Sequence, residues 1–261
     1  MFEMRAKLSF YVLTCNSEKY LEAVLLAAKE VADEIIVVDS GSNDSTGNIS
    51  KRYTELFYYK KLEDFVKQRS FAHEKCTHDW VLTLDSDEIP DKDFLQSICY
   101  LKERNFKESE SVDSYWVKRE WYVMGKKVHS MYPATSPDYV IRLYKKSKAS
   151  FTESNKVHES MGGFEKTDDI KEGILKHYTF ETKDEFERKL HHYTSLASED
   201  SLRQNKKTSY LRPFGNAICA FCKFYIVKRG FKDGKVGIAA GIYAFRYTFY
   251  KYKKLMELNS I

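Results

Sequence analysis

Three acids within four positions close the stretch Trp80-Val81-Leu82-Thr83-Leu84-Asp85-Ser86-Asp87-Glu88-Ile89-Pro90. Carboxylates this close repel one another, and a divalent cation would remove that cost. Hard oxygen ligands of this kind suit Mg²⁺ or Mn²⁺, ions that usually hold substrate phosphates as well. A plainer reading stands beside it: an acidic loop leading into a helix, with Asp91 and Asp93 as capping residues. Acids recur at comparable places upstream. Asp39 ends the run Glu34-Ile35-Ile36-Val37-Val38, and Asp44 lies in the small-residue turn Ser40-Gly41-Ser42-Asn43-Asp44-Ser45-Thr46. Thr14 and Asn16 follow a third apolar run, at 8–13.

These groups meet only if the runs before them are neighbouring strands. Residues 80–84 are apolar without alternation, as strands covered on both faces are. Residues 8–13 and 34–39 read the same way. Between them, 18–32 carries Leu21, Val24, Leu25, Ala28 and Val31 at helical spacing, with Ser17 as its N-cap. Shorter helices are expected at 47–53 and 64–76, and a third strand at 56–59. Lys67, Gln68 and Arg69 sit near the start of the 64–76 helix. Strand and helix in alternation begin a nucleotide-binding α/β unit, whose ligands sit at the carboxyl ends of the strands. Further on, a helix at 91–104, strands at 115–123, 139–144 and 176–180, and a long helix from 183 to about 205 are expected.

Charge divides the chain. From Arg203 onward 13 Lys and Arg face 2 Asp and Glu, a balance of +11, and the first 202 residues hold 30 against 36, a balance of −6. This predicts a catalytic body over 1–202 and a basic helical region over 203–261 that meets an anionic surface. Two apolar stripes run through that tail. Leu211, Phe214, Ile218, Phe221 and Tyr225 form one, and Ile238, Ile242, Phe245, Phe249, Tyr252 and Met256 the other. Such stripes with basic edges fit helices lying in a membrane interface, and they fit a homodimer contact as well. The aromatics follow helical stripes and form no base-stacking platform, which argues against nucleic acid. The five cysteines are odd in number and irregularly spaced, as expected of reduced thiols in the cytoplasm. Together these features predict a peripheral protein at the cytoplasmic face of a membrane.

The first 90 residues resemble the family 2 glycosyltransferases, inverting enzymes of the GT-A fold. The matching pieces are Thr14-Cys15-Asn16-Ser17-Glu18, Val38-Asp39 with the turn to Thr46, Gln68-Arg69, and Asp85-Ser86-Asp87-Glu88. The second half resembles the lipopolysaccharide inner-core β-1,4-glucosyltransferase branch. It does so through Arg142-Leu143-Tyr144, Val157-His158-Glu159, Lys189 with Tyr193, and Arg229-Gly230-Phe231-Lys232-Asp233-Gly234. The resemblance implies an α/β, Rossmann-like sheet that binds a nucleotide sugar, flanked by helices and followed by the basic helical appendage. It implies that Thr14, Asn16, Glu18 and Asp39 line the uridine pocket of a UDP-sugar and that Arg69 meets the uracil or the phosphates. Asp85 would reach the ribose and the metal's water shell, and Asp87 would bind the Mg²⁺ or Mn²⁺. The family's usual Glu-Asp base is missing here, and Glu159 is the replacement this branch suggests.

The implied reaction moves a hexose, glucose from UDP-glucose first, onto a lipid-linked saccharide such as lipopolysaccharide inner core. The alternatives are another nucleotide sugar, a polyprenyl-phosphate acceptor, or a non-catalytic nucleotide-sugar-binding membrane adaptor. His158 and His177 are each either structural or a completing metal ligand. Arg142 with the lysines at 145, 146 and 148 is either a contact for an anionic acceptor or a solvated turn. Trp116, Trp121 and Tyr122 are either core or a sugar platform.

Overall fold

The computed structural model describes residues 5–106, 112–155, 158–209 and 211–259, with backbone only at 152–155, 158–160 and 183. The chain forms two compact units. The first comprises Met1–Arg119, Tyr139–Glu153 and Glu159–His177, and the second Glu120–Asp138, Ser154–His158 and Tyr178–Ile261.

The first unit is built on β1 (Leu8–Thr14), β2 (Glu34–Asp39), β3 (Phe57–Tyr59) and β4 (Trp80–Asp85), interleaved with α1 (Leu21–Val31), α2 (Thr46–Lys51) and α3 (Phe65–Lys75). These strands are parallel in the order β3-β2-β1-β4. Their unbroken apolar runs have a simple cause in the pleat. Phe10, Val12, Val37, Leu82 and Leu84 point to one face and pack with α1, while Tyr11, Ile36, Val38 and Val81 point to the other and pack with Ala72 of α3. Each such aliphatic or Phe side chain, fully buried, stabilises the fold by about 1.5–3 kcal/mol.

The chain continues through β5 (Glu88–Pro90), α4 (Lys92–Glu103) and β6 (Ser114–Val123). Three two-residue strands follow in the second unit, β7 (Lys126–Lys127), β8 (Ser130–Met131) and β9 (Ala134–Thr135). Then come β10 (Asp138–Lys145), β11 (Ser150–Asn155), β12 (His158–Gly162), β13 (Thr167–Asp169) and β14 (Leu175–Phe180). The sheet extends in the order β3-β2-β1-β4-β10-β6-β14-β5, and β10 runs antiparallel to β4, with Leu143 opposite Leu82. The expected α/β sheet flanked by helices is therefore present and is mixed in direction. Asp64 and Asp91 cap α3 and α4, their side chains accepting from Lys67 N at 2.7 Å and Phe94 N at 2.9 Å. Ser17 does not cap α1; Tyr20 holds that position without a side-chain bond, because the Ser17 hydroxyl is engaged by Cys15 N and Ser86.

The second unit gathers α5 (Lys183–Arg203), α6 (Arg212–Cys222) and α7 (Gly234–Asn259). Its core holds Trp121, Phe180, Phe186, Leu190, Tyr243 and Tyr247. The division by compactness thus differs from the division by charge. Helix α5 groups with the basic tail because Phe186 packs edge-on against Tyr243 at 4.4 Å and Glu187 pairs with Arg246. α6 and α7 form an antiparallel hairpin: Phe214 meets Phe249 at 4.9 Å, and Phe221 lies against Gly241. At the turn, a Cβ on Gly237 would fall on the Gly230 carbonyl, so only glycine permits that approach.

Candidate functional site

The pairing register sets the site. Thr14 of β1 is opposite Asp39 of β2, and its neighbour Leu13 is opposite Asp85 of β4. Three parallel strands therefore end within one residue of one another, with Asp39 beside Thr14 and Asp85 beside Leu13. This is the carboxyl edge, where α/β sheets bind ligands.

Asp39 is 5% exposed and saturated with donors. Its Oδ1 accepts from Thr14 Oγ1 at 2.9 Å and Ser42 Oγ at 2.6 Å, and its Oδ2 accepts from the Gly41 and Ser42 amides, each at 2.9 Å. Burial pushes the Asp39 carboxyl up, but the Ser42, Gly41 and Thr14 donors outweigh it and hold the group below its usual range. The loops after β1 and β2 are tied to each other. Asn16 Oδ1 accepts from Asn43 N at 2.9 Å, Glu18 Oε2 from Ser45 N at 3.0 Å, and Asp44 Oδ2 from Glu18 N at 3.1 Å. Asp44 is a turn residue at the start of α2, accepting from Thr46 N at 2.9 Å. Gln68, 1% exposed, donates to Ser40 Oγ at 3.0 Å and fixes the same turn from α3.

The acidic strand end solves its repulsion with arginine. Arg69 Nη2 lies 3.0 Å from Asp85 Oδ1, and Arg142 Nη2 lies 2.6 Å from Asp85 Oδ2 and 2.7 Å from Glu88 Oε1. Arg142 Nε adds a bond to Glu88 Oε2 at 2.8 Å, and Arg119 Nη1 one to Glu88 Oε1 at 2.8 Å. Glu88 Oε2 also accepts from Asp85 N at 3.0 Å. Burial raises the Asp85 and Glu88 carboxyls, while Arg142 leads the attractions that bring both below the usual range. Three guanidiniums, of Arg69, Arg119 and Arg142, surround these two carboxylates. The stated reason for a cation at Asp85 and Glu88, unrelieved repulsion, is therefore met by the protein itself.

Asp87 stands apart from the clamp. Its Oδ1 is 3.4 Å from His177 Nε2, and 29% of its side chain is exposed. His177 reaches this point because β14 pairs antiparallel with β5, His177 opposite Glu88. Among the described residues no three His, Cys, Asp or Glu side chains form a group that could hold an ion unaided. One carboxylate fits an octahedral cation whose other positions go to phosphate oxygens and water, as for Mg²⁺, and the imidazole beside it suits a softer ion such as Mn²⁺.

Thr14, Asn16, Glu18, Asp39, Arg69, Asp85 and Asp87 all lie in the first unit, at or beside this edge. The backbone of Glu159 lies in β12, and its side chain, with that of His158, falls outside the described residues. Arg142 proves to be 8% exposed and committed to Asp85 and Glu88, so it is neither an acceptor contact nor part of a solvated turn. Trp121 is core, whereas Trp116 is 40% exposed. The clamp of Arg142, Arg119 and Glu88 escaped sequence reasoning. One signal for it existed: an arginine inside the apolar run Tyr139-Val140-Ile141-Arg142-Leu143-Tyr144 needs a buried partner.

The sequence profile described as Glycosyl transferase family 2 matches residues 9–233. The chain is similar to an uncharacterized glycosyltransferase of Rickettsia typhi, 29% identical over 260 residues that span 97% of this chain and 88% of the relative. It is similar also to the lipopolysaccharide core biosynthesis glycosyltransferase LpsC of Rhizobium meliloti, 24% identical over 264 residues that span 97% of this chain and 93% of that one. Glucosyl-3-phosphoglycerate synthase from Mycobacterium tuberculosis, solved in complex with Mg²⁺ and uridine-diphosphate, matches over 45% of this chain and 44% of its own, at a TM-score of 0.36 and 20% identity.

Proposed function

The chain belongs to glycosyl transferase family 2 and is a glycosyltransferase, and we propose that it moves a hexose from a UDP-sugar, UDP-glucose first, onto a lipid-carried saccharide of the lipopolysaccharide core kind. Transfer would proceed with inversion and with a divalent cation. The observation that carries this reading is the placing of Asp39 and Asp85 at the carboxyl ends of the two parallel strands that flank β1, opposite Thr14 and Leu13 respectively. The acceptor class is supported by the similarity to the core glycosyltransferase of Rhizobium meliloti.

In this reading Thr14, Asn16, Glu18 and Asp39 cradle the uridine. Their hydrogen-bonded loops are formed in advance, so little ordering remains for the ligand to impose. Asp85, fixed from both sides by Arg69 and Arg142, presents its exposed part to the ribose. Asp87 and His177 would hold the cation, which when bound offsets negative charge on the departing diphosphate. The acceptor oxygen forms a bond to the anomeric carbon as the bond from that carbon to the diphosphate breaks. UDP leaves, and Glu159 takes the acceptor's proton.

A donor screen tests this. UDP release from UDP-glucose should require Mn²⁺ or Mg²⁺ and should rise with a lipid-linked saccharide acceptor. Turnover confined to nucleotide sugars of another base would overturn the donor assignment.

A further inference from the structure

Fifteen large apolar side chains are exposed among the described residues, and eight of them fall between 211 and 242. That concentration is too great for the scattered apolar surface normal to a protein. Leu211 at the N-cap of α6 and Phe214 and Ile218 on that helix are 83, 55 and 56% exposed, and Ile238 and Ile242 on α7 are 44 and 46% exposed. The Phe214–Phe249 contact and the seat of Phe221 on Gly241 join the two helices along one seam, so both stripes border it. The connecting turn adds Ile226, Val227 and Phe231, each more than half exposed.

The surroundings are basic. Lys206, Lys207, Arg212, Lys223, Arg229, Lys232 and Lys235 are all exposed. Asp233 is the sole acid between 203 and 256, and its carboxylate is engaged by His129, at 2.5 Å from Nδ1 and 2.8 Å from the amide nitrogen.

We propose that this face of the α6–α7 hairpin docks on an anionic phospholipid bilayer, its apolar side chains entering the interface and its lysines and arginines meeting the headgroups. An apolar face rimmed by cations is what such a surface binds. The hairpin lies on the bilayer and does not cross it, since no helix among the described residues is long and apolar enough to span. Two other occupants fit this face less well. A symmetric dimer through this patch would set the tail's +11 against an identical +11. Nucleic acid matches the charge, but six of the eight exposed side chains are aliphatic and offer bases nothing to stack on. The docking does not depend on which sugar the enzyme transfers.

The test uses the full chain and vesicles of phosphatidylcholine alone or mixed with phosphatidylglycerol. Flotation should carry the protein with the anionic vesicles at low salt and far less with the neutral ones. Neutralising Lys207, Lys232 and Lys235 to Gln should weaken anionic binding by about a hundredfold. Phe214→Ser with Ile218→Ser and Ile242→Ser should abolish whatever binding survives high salt. Because that variant could misfold, Ile218→Trp provides a second reading: its fluorescence should shift to the blue on anionic vesicles. Absence of binding at low salt, unchanged binding in the triple serine variant, an unshifted tryptophan, or a dimer that dissolves in the serine variant would each overturn the proposal.

Discussion

Arg142 grips Glu88 as a fork, with Nε at 2.8 Å from one carboxylate oxygen and Nη2 at 2.7 Å from the other. Glu88 is fully buried, and the same guanidinium reaches Asp85. The strand end that would face the nucleotide is thus held from beneath by a residue 54 positions away in sequence.

Removing one side of that fork should be severe. Glu88→Gln leaves Arg142 and Arg119 short of a buried counter-charge and should destabilise the protein by about 3–5 kcal/mol, read from urea unfolding. Arg142→Lys keeps the charge but loses the planar two-point contact, so it should not restore wild-type stability.

The clamp also predicts a pH dependence. The Asp85 and Glu88 carboxyls sit lower in the fold than in the unfolded chain. Their contribution to stability is then complete above the unfolded values, about 3.9 and 4.3, and is lost as pH falls through the folded ones. Urea midpoints should hold steady from pH 7 to about 5 and drop on further acidification. The drop should be shallower in Glu88→Gln.

Asp87→Asn should lower transfer by roughly a thousandfold, equivalent to several kcal/mol of lost charge stabilisation. His177→Ala should chiefly raise the Mn²⁺ concentration needed for half-maximal rate. Full activity of Asp87→Asn at low Mn²⁺ would remove Asp87 from the cation site.

Glu159→Gln should lower turnover by about 10²–10⁴-fold while leaving UDP affinity, measured by calorimetry, unchanged. Equal turnover in the two proteins would assign the proton to another group.

Cysteine labelling gives a test free of turnover. Cys76 is buried and its thiol is pushed up to about 12, so it should resist alkylation until the fold opens. Burial, Asp39 and Asp44 raise the Cys15 thiol, but Cys15 is exposed in the loop after β1, so reagent can reach it and it should be alkylated before Cys76. UDP should protect Cys15 and leave the exposed Cys219 unaffected.

The strands and the acids at their ends were readable because each unbroken apolar run stops at a polar residue, as at Val38-Asp39 and Leu84-Asp85. Pairing of neighbouring parallel strands then aligns those stops. The clamp was not readable, because Arg119 and Arg142 come from β6 and β10, and only the turn back to an antiparallel β10 brings Arg142 beneath β4. His177 was half readable: it could be singled out, but its approach to Asp87 follows from the pairing of β14 with β5. The compact units divide the chain elsewhere than charge does, for a related reason. Charge changes at 203, whereas packing follows Phe186 and Glu187 onto α7.

The saturation of Asp39 has a bearing on selectivity. A carboxylate offers about four acceptor positions, and here two amides and two hydroxyls occupy them. An incoming N–H or O–H must evict a tenant, and only the Thr14 and Ser42 hydroxyls can swivel aside. These hydroxyls act as placeholders for whatever donor replaces them. A guest edge without a donor gives Asp39 nothing in exchange and leaves the resident hydroxyls where they are.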